Sequence, residues 1–206
     1  MRILGFLLLV LFAASGLAAA PVVLVMGDSV SAAYGIPVES GWVRLLQQRL
    51  VQQGYLHRVV NGSVSGETTA GGLARLPSAL QQHRPQALLI ELGGNDGLRG
   101  LPIRELRKNL AAMVKLGRKA GAEVAVFEMQ IPPNYGASYA RQFQDSFFLV
   151  AREQRARHVP FFLAQTAAGN LFQDDGIHPT AAAQPGMLEL AWPVIESLLG
   201  KARSTP

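Results

Sequence analysis

VVLVMGDSVS, residues 22–31, runs from five apolar residues straight into glycine, aspartate and serine. A run so short, so rich in valine and unbroken by polar residues reads as a strand buried on both faces, the kind found in parallel sheets. Four runs of the same character follow: HRVVN (57–61), ALLIEL (87–92), EVAVFEM (123–129) and VPFF (159–162). Between them the apolar residues recur at helical spacing. Trp42, Leu45, Leu46 and Leu50 follow Ser40 as an N-cap, and Ile103, Leu106, Leu110, Met113 and Val114 continue until Gly121 stops them. Phe143, Phe147 and Val150 mark another helix, and Met187, Leu190, Val194 and Leu198 a last one. The segment from Leu73 to Leu80 is helical too, with Pro77 starting or kinking it.

Five alternations of strand and helix, joined by right-handed crossovers, predict a three-layer α/β/α sandwich. Its five-stranded parallel sheet takes the flavodoxin-like order 2-1-3-4-5. A chain of 206 residues suffices for one such domain, and no linker, repeat or low-complexity tract divides it. In these sheets ligands bind beyond the carboxyl ends of the strands, so function is expected in the loops that follow each run.

MRILGFLLLVLFAASGLAAA, residues 1–20, has one positive charge, a short apolar core and a small-residue exit. It reads as a secretory signal peptide, cut after Ala20 or Ala18, with residues 21–206 forming the domain. The chain has no cysteine, hence no disulfide and no lipid-bearing N-terminal cysteine. A periplasmic or secreted protein without stable membrane insertion after cleavage is expected, held together by its core alone. Beyond Arg2 there are 18 basic and 14 acidic residues, and the basic ones are dispersed, so nucleic acid is not an expected partner.

The loops carry the chemistry. Ser29 in GDSVS lies where a strand is expected to give way to a helix, either as an N-cap or exposed to a ligand beside its own backbone N–H. NGSVSGETTAGG is rich in glycine and small hydroxyl residues. Gly66 is its obvious point for an unobstructed N–H donor, although the loop also fits a plain turn and matches no phosphate-binding motif. In ELGGNDGLRG two glycines expose Asn95 and Asp96; the Asn95 amide would add a third donor to an oxyanion hole, or the segment is an ordinary turn. In QDDGIHPT, Pro179 suits a first helical turn, which puts His178 at a helix start with Asp175 three residues back. A metal site would need three ligands, and no second histidine cluster exists; a cap or an Asp/His pair remains. A serine, a donor set and an Asp/His pair on one sheet edge form the constellation that acyl transfer requires.

These four blocks resemble the SGNH (GDSL) hydrolases, named for a serine, a glycine, an asparagine and a histidine that match Ser29, Gly66, Asn95 and His178 here, with Asp175 as partner of the histidine. The likeness spans nearly the whole chain after the leader. VVNGSVSGETTAGGLARLP, ELGGNDGLRG, PPNYG and DDGIHP look like the exported multifunctional thioesterase/lysophospholipase/arylesterase branch, apart from Gly62, Val64 and Glu67, where alanine, isoleucine and aspartate are common. The resemblance implies a Ser29–His178–Asp175 triad and an oxyanion hole made by the N–H groups of Ser29 and Gly66 and the Asn95 amide. It also implies no cofactor, and a mobile loop over 97–102 that contacts the acyl chain.

Leu98, Leu101, Ile131, Pro132, Tyr135 and Phe172 follow these loops and are candidates to line an acyl groove. The expected partner is a small-molecule or lipid acyl ester or thioester, acted on by a monomer. The α/β-hydrolase fold is a rival, because GDSVS nearly matches its nucleophile elbow. It fails because Ser31 stands where glycine is needed and the serine follows the first strand. Two alternatives remain: a carbohydrate acetyl esterase on the same fold, and a non-catalytic lipid-binding protein. Asp174 is left as a neighbour that caps the turn.

Overall fold

The computed structural model describes residues 20–200; residues 1–19, on which nearly all of the expected signal peptide falls, and 201–206 lie outside the described residues. Five strands form one parallel sheet: β1 (Val22–Gly27), β2 (Arg58–Asn61), β3 (Ala87–Glu91), β4 (Glu123–Phe127) and β5 (Arg157–Val159), in the order β2-β1-β3-β4-β5. Every residue of β1 and β3 is buried, which is why these runs admit no polar alternation. The edge strand β2 is half exposed, and β5 is three residues long and two positions earlier than the apolar run VPFF. An edge strand needs one paired side only, so hydrophobicity marks it less sharply than a central one.

Parallel register brings the carboxyl ends together: Gly27 pairs with Glu91, Val25 with Asn61, and Phe127 with Val159. Helices α1 (Trp42–Gln52), α2 (Thr69–His83), α3 (Gly94–Leu98), α4 (Ile103–Lys119), α5 (Ala137–Gln154), α6 (Ala164–Ala168) and α7 (Gln184–Leu198) fill the connections. α1 packs with α7, while α2, α4 and α5 pack side by side in the other layer. Gly41 rather than Ser40 caps α1, because Ser40 is taken into a short 3-10 turn. α2 starts earlier than its apolar residues suggest, capped by the Thr68 side chain on the Gly71 N–H, and it carries Pro77 inside its span.

Two aromatic clusters fill the core. Trp42, Phe127 and Phe162 meet between the sheet and the α1/α7 layer, and Phe143 and Phe147 meet edge-on in the other. Phe147 also lies directly under Gly93, where a Cβ would come within 2.9 Å of its ring. Phe147→Ala is expected to cost about 3–5 kcal/mol in denaturant unfolding; a loss below about 1 kcal/mol would show that this cluster does not support the loop above it.

Candidate active site

Beyond the ends of the strands, the chain after β1 does not enter a helix. Residues 28–34 form a turn closed by the Ala32 N–H on the Asp28 carbonyl (3.0 Å) and the Tyr34 N–H on the Ser29 carbonyl (3.0 Å). The expected helix N-terminus at Ser29 is therefore absent, and α1 begins only at Trp42. The turn is held from below by Glu91, which is fully buried at the end of β3. Its Oε2 accepts from the Ser31 hydroxyl (2.5 Å) and the Asp28 N–H (3.3 Å), while the Trp42 indole N–H donates to the Ser31 oxygen (3.1 Å). Gly27 makes this approach possible, since a Cβ there would sit 2.5 Å from the carboxyl oxygen.

His178 reaches this turn from the other end of the chain. Its Nε2 lies 2.9 Å from the Ser29 Oγ, and its Nδ1 lies 2.6 Å from the Asp175 Oδ2. Three hydrogen bonds keep Asp175 ionised, lowering its pKa to about 2: the His178 backbone N–H first, then the His178 ring and the Ile177 N–H. An ionised carboxylate only accepts, so Nδ1 carries the ring proton and Nε2 is left to accept from Ser29. Asp175 thus caps its own turn through Oδ1, a role the sequence suggested for Asp174, which is exposed beside it. His178 does not begin a helix: Pro179 bridges back to Phe172, and the helical chain starts with a 3-10 turn at Ala181. Tyr34 covers the imidazole with ring centroids 4.5 Å apart, and the Gln173 amide ties the Tyr34 carbonyl to that of Pro179.

Asn95 and Gly66 stand on the two neighbouring loops. One N–H of the Asn95 amide donates to the Asp28 Oδ2 (3.2 Å), which fixes the amide and leaves its second N–H unused by that bond. Gly66 is exposed in the left-handed region at φ +77°, and its carbonyl is held by the Arg99 guanidinium at 2.9 Å. Among the described residues neither the Ser29 nor the Gly66 N–H has an acceptor in the protein. The two loops are joined by the buried Asp96 carboxylate, which accepts from the Thr69 N–H (2.8 Å) and the Thr69 hydroxyl (2.5 Å) at the start of α2.

Ser29, Asn95 and His178 open onto a cavity of about 460 Å³, in the size range of small-molecule sites. Its apolar wall includes Leu98, Ile131, Phe161, Leu163, Phe172 and Ile177. Of the six side chains expected to line a groove, Leu98, Ile131, Pro132 and Phe172 do so. Leu101 and Tyr135 instead stand exposed outside the wall, and Gly66, also exposed, is not part of the lining. Phe161, Leu163 and the short α6 were missed, because helical spacing over five residues leaves no periodic trace. The buried Glu91 was missed as well, although a carboxyl breaking an otherwise apolar run is a signal that could have found it. Among the described residues no cluster of side chains could hold a metal ion.

A model of the GDSL-like lipase/acylhydrolase family matches residues 25–184. The esterase TesA of Pseudomonas aeruginosa is 50% identical over 183 residues, covering 88% of this chain and 91% of that protein. A crystal structure of TesA superposes with a TM-score of 0.84 at 49% identity, over 86% of this chain and 99% of the other. An arylesterase of Vibrio mimicus is 45% identical over 81% of this chain and 84% of its own length. The thioesterase/protease/lysophospholipase of Escherichia coli is 39% identical over 87% and 84%.

Burial pushes the Asp28 carboxyl up to about 6, against the opposing pull of the Val30 N–H and the Asn95 amide. An unfolded aspartate loses its proton near pH 4, so between about pH 4 and 6 the folded chain holds the extra proton. The stability contributed by this group is complete below pH 4 and lost as pH rises through 6. Asp28→Asn is therefore expected to gain more thermal stability over wild type at pH 8 than at pH 4, while losing turnover because an amide N–H₂ now faces Asn95. An equal or larger gain at pH 4 would contradict this.

Proposed function

The chain belongs to the GDSL-like lipase/acylhydrolase family and is an ester and thioester hydrolase; we propose that Ser29 is its nucleophile, His178 its general base and acid, and Asp175 the group that orients the base. One observation carries this reading: the unbroken line from the Asp175 carboxylate through the imidazole to the Ser29 hydroxyl, with spacings of 2.6 and 2.9 Å. Ser29 Oγ attacks the acyl carbonyl carbon as its proton passes to His178 Nε2. The oxyanion is taken by the N–H groups of Ser29 and Gly66 and the second N–H of Asn95. His178 then protonates the leaving alcohol or thiol, which departs to give an acyl-Ser29 ester. Water, deprotonated by the same imidazole, releases the carboxylic acid and restores Ser29. The apolar cavity beside Asn95 takes the acyl chain, so lipid-like acyl esters such as lysophospholipids, together with acyl thioesters and aryl esters, are the proposed substrate class. The sequence of residues 1–20 supports export to the periplasm or medium. All site residues come from one chain, so a monomer suffices.

Ser29→Ala is expected to reduce hydrolysis of p-nitrophenyl butyrate and palmitoyl thioester by roughly a thousandfold or more. Asn95→Ala should lower kcat about a hundredfold or more with an unchanged melting temperature. Asp175→Asn should cost far more activity than Asp174→Asn. An active Ser29→Ala protein would refute the nucleophile, and the reverse order of the two aspartates would exchange their roles.

A further inference from the structure

The two side chains that fall outside the cavity wall, Leu101 and Tyr135, belong to a wider pattern. Of the exposed large apolar side chains among the described residues, Tyr34, Val64, Leu101, Tyr135 and Ile177 stand on the five loops that follow the carboxyl ends of β1 to β5, and Ile177 also lines the cavity. On the side of β3 and β4 the exposed pair is Leu101 and Tyr135, one on each loop, and together these make a lip. Segments 100–102 and 132–135 follow the adjacent strands β3 and β4, and the first is tied to α5, which follows the second, by the Tyr139 hydroxyl donating to the Leu101 carbonyl at 2.8 Å. Ile131 fills the space against Gly97, and with Leu98 and the adjoining Pro132 it lines the cavity on this side.

The backbone chemistry of this lip suits contact with lipid. Pro102 and Pro132 have no N–H to strip of water, and the Leu101 carbonyl is already bonded, so little polar desolvation opposes burial. Tyr135 offers an apolar ring with a polar tip, the shape favoured at a membrane interface. The flank is cationic. Arg99 is exposed and donates to the Gly66 carbonyl rather than to a carboxylate, while Arg104 and Lys108, both largely exposed, share the single carboxylate of Glu105.

We propose that the lip formed by Leu101, Pro102, Pro132 and Tyr135, flanked by Arg99, Arg104 and Lys108, docks the protein on an anionic lipid surface. The chain binds there peripherally, since among the described residues no helix is long and apolar enough to cross a membrane. The lip and the cavity mouth then face the same layer, and an acyl chain passes from lipid to Ser29 along Pro132, Ile131 and Leu98 without crossing water. This rests on the hydrolase reading but is tested apart from it.

The test is cosedimentation of the purified protein with phosphatidylglycerol and phosphatidylcholine vesicles, alongside hydrolysis of water-soluble p-nitrophenyl acetate. Wild type should bind phosphatidylglycerol vesicles in preference to phosphatidylcholine. Leu101→Asp/Tyr135→Asp should reduce partitioning at least tenfold with p-nitrophenyl acetate turnover unchanged. Arg104→Glu/Lys108→Glu should reduce it by roughly fivefold per cation and abolish the lipid preference. Absence of wild-type binding, equal binding to both lipids, or variants that bind like wild type would each overturn the proposal. So would a solution dimer that the lip variants dissociate, because the lip would then be covered by a second copy. Loss of p-nitrophenyl acetate hydrolysis in wild type would instead count against the hydrolase reading.

Discussion

A carboxyl group without access to water underlies the site. Glu91, at the end of the central strand β3, holds the Asp28 N–H and the Ser31 hydroxyl from beneath and so fixes the turn that presents Ser29. Burial, reinforced by the neighbouring Asp28 charge, pushes its pKa well above the usual carboxylate range, in the direction of the neutral form. A neutral group costs far less to bury than an ion, and the two bonds that Oε2 accepts offset part of the loss of water, while Oε1 is buried without a partner. The parallel sheet makes this bracing possible, because register sets Glu91 beside Gly27 and only a glycine leaves room for the carboxyl.

Charge is then graded across a few ångströms. Glu91, fully buried, is pushed well above the usual carboxylate range, Asp28 is raised to about 6, and Asp175 at the surface is lowered to about 2. The readily ionised Asp175 is the one in contact with the imidazole, where the proposed mechanism develops a positive charge, and the harder group to ionise, Asp28, is the one holding Asn95, where it would place the oxyanion.

The central strands, the sheet order and the loops bearing Ser29, Gly66, Asn95, Asp175 and His178 were legible in the sequence, because buried parallel strands leave long apolar runs and ligand sites follow their ends. Less legible were features set by tertiary context. The residues after Ser29 form an isolated turn because Glu91, sixty positions away, supplies its partners. His178 precedes a bridge rather than a helix because Phe172 pairs back across it. Leu101 and Tyr135 are apolar and near the site, yet face outward: hydrophobicity alone does not distinguish the wall of a cavity from its lip.

The most direct test of the central claim is a crystal structure of the protein after reaction with an alkylphosphonate, whose tetrahedral phosphorus mimics the intermediate. If Ser29 is the nucleophile, the phosphorus is bonded to the Ser29 Oγ, with one phosphonyl oxygen within roughly 2.7–3.1 Å of the Ser29 N, the Gly66 N and the Asn95 Nδ2, and the alkyl substituent directed along Leu98 and Ile131. Labelling at another residue, or an oxygen turned to solvent with Gly66 and Asn95 out of reach, would contradict it.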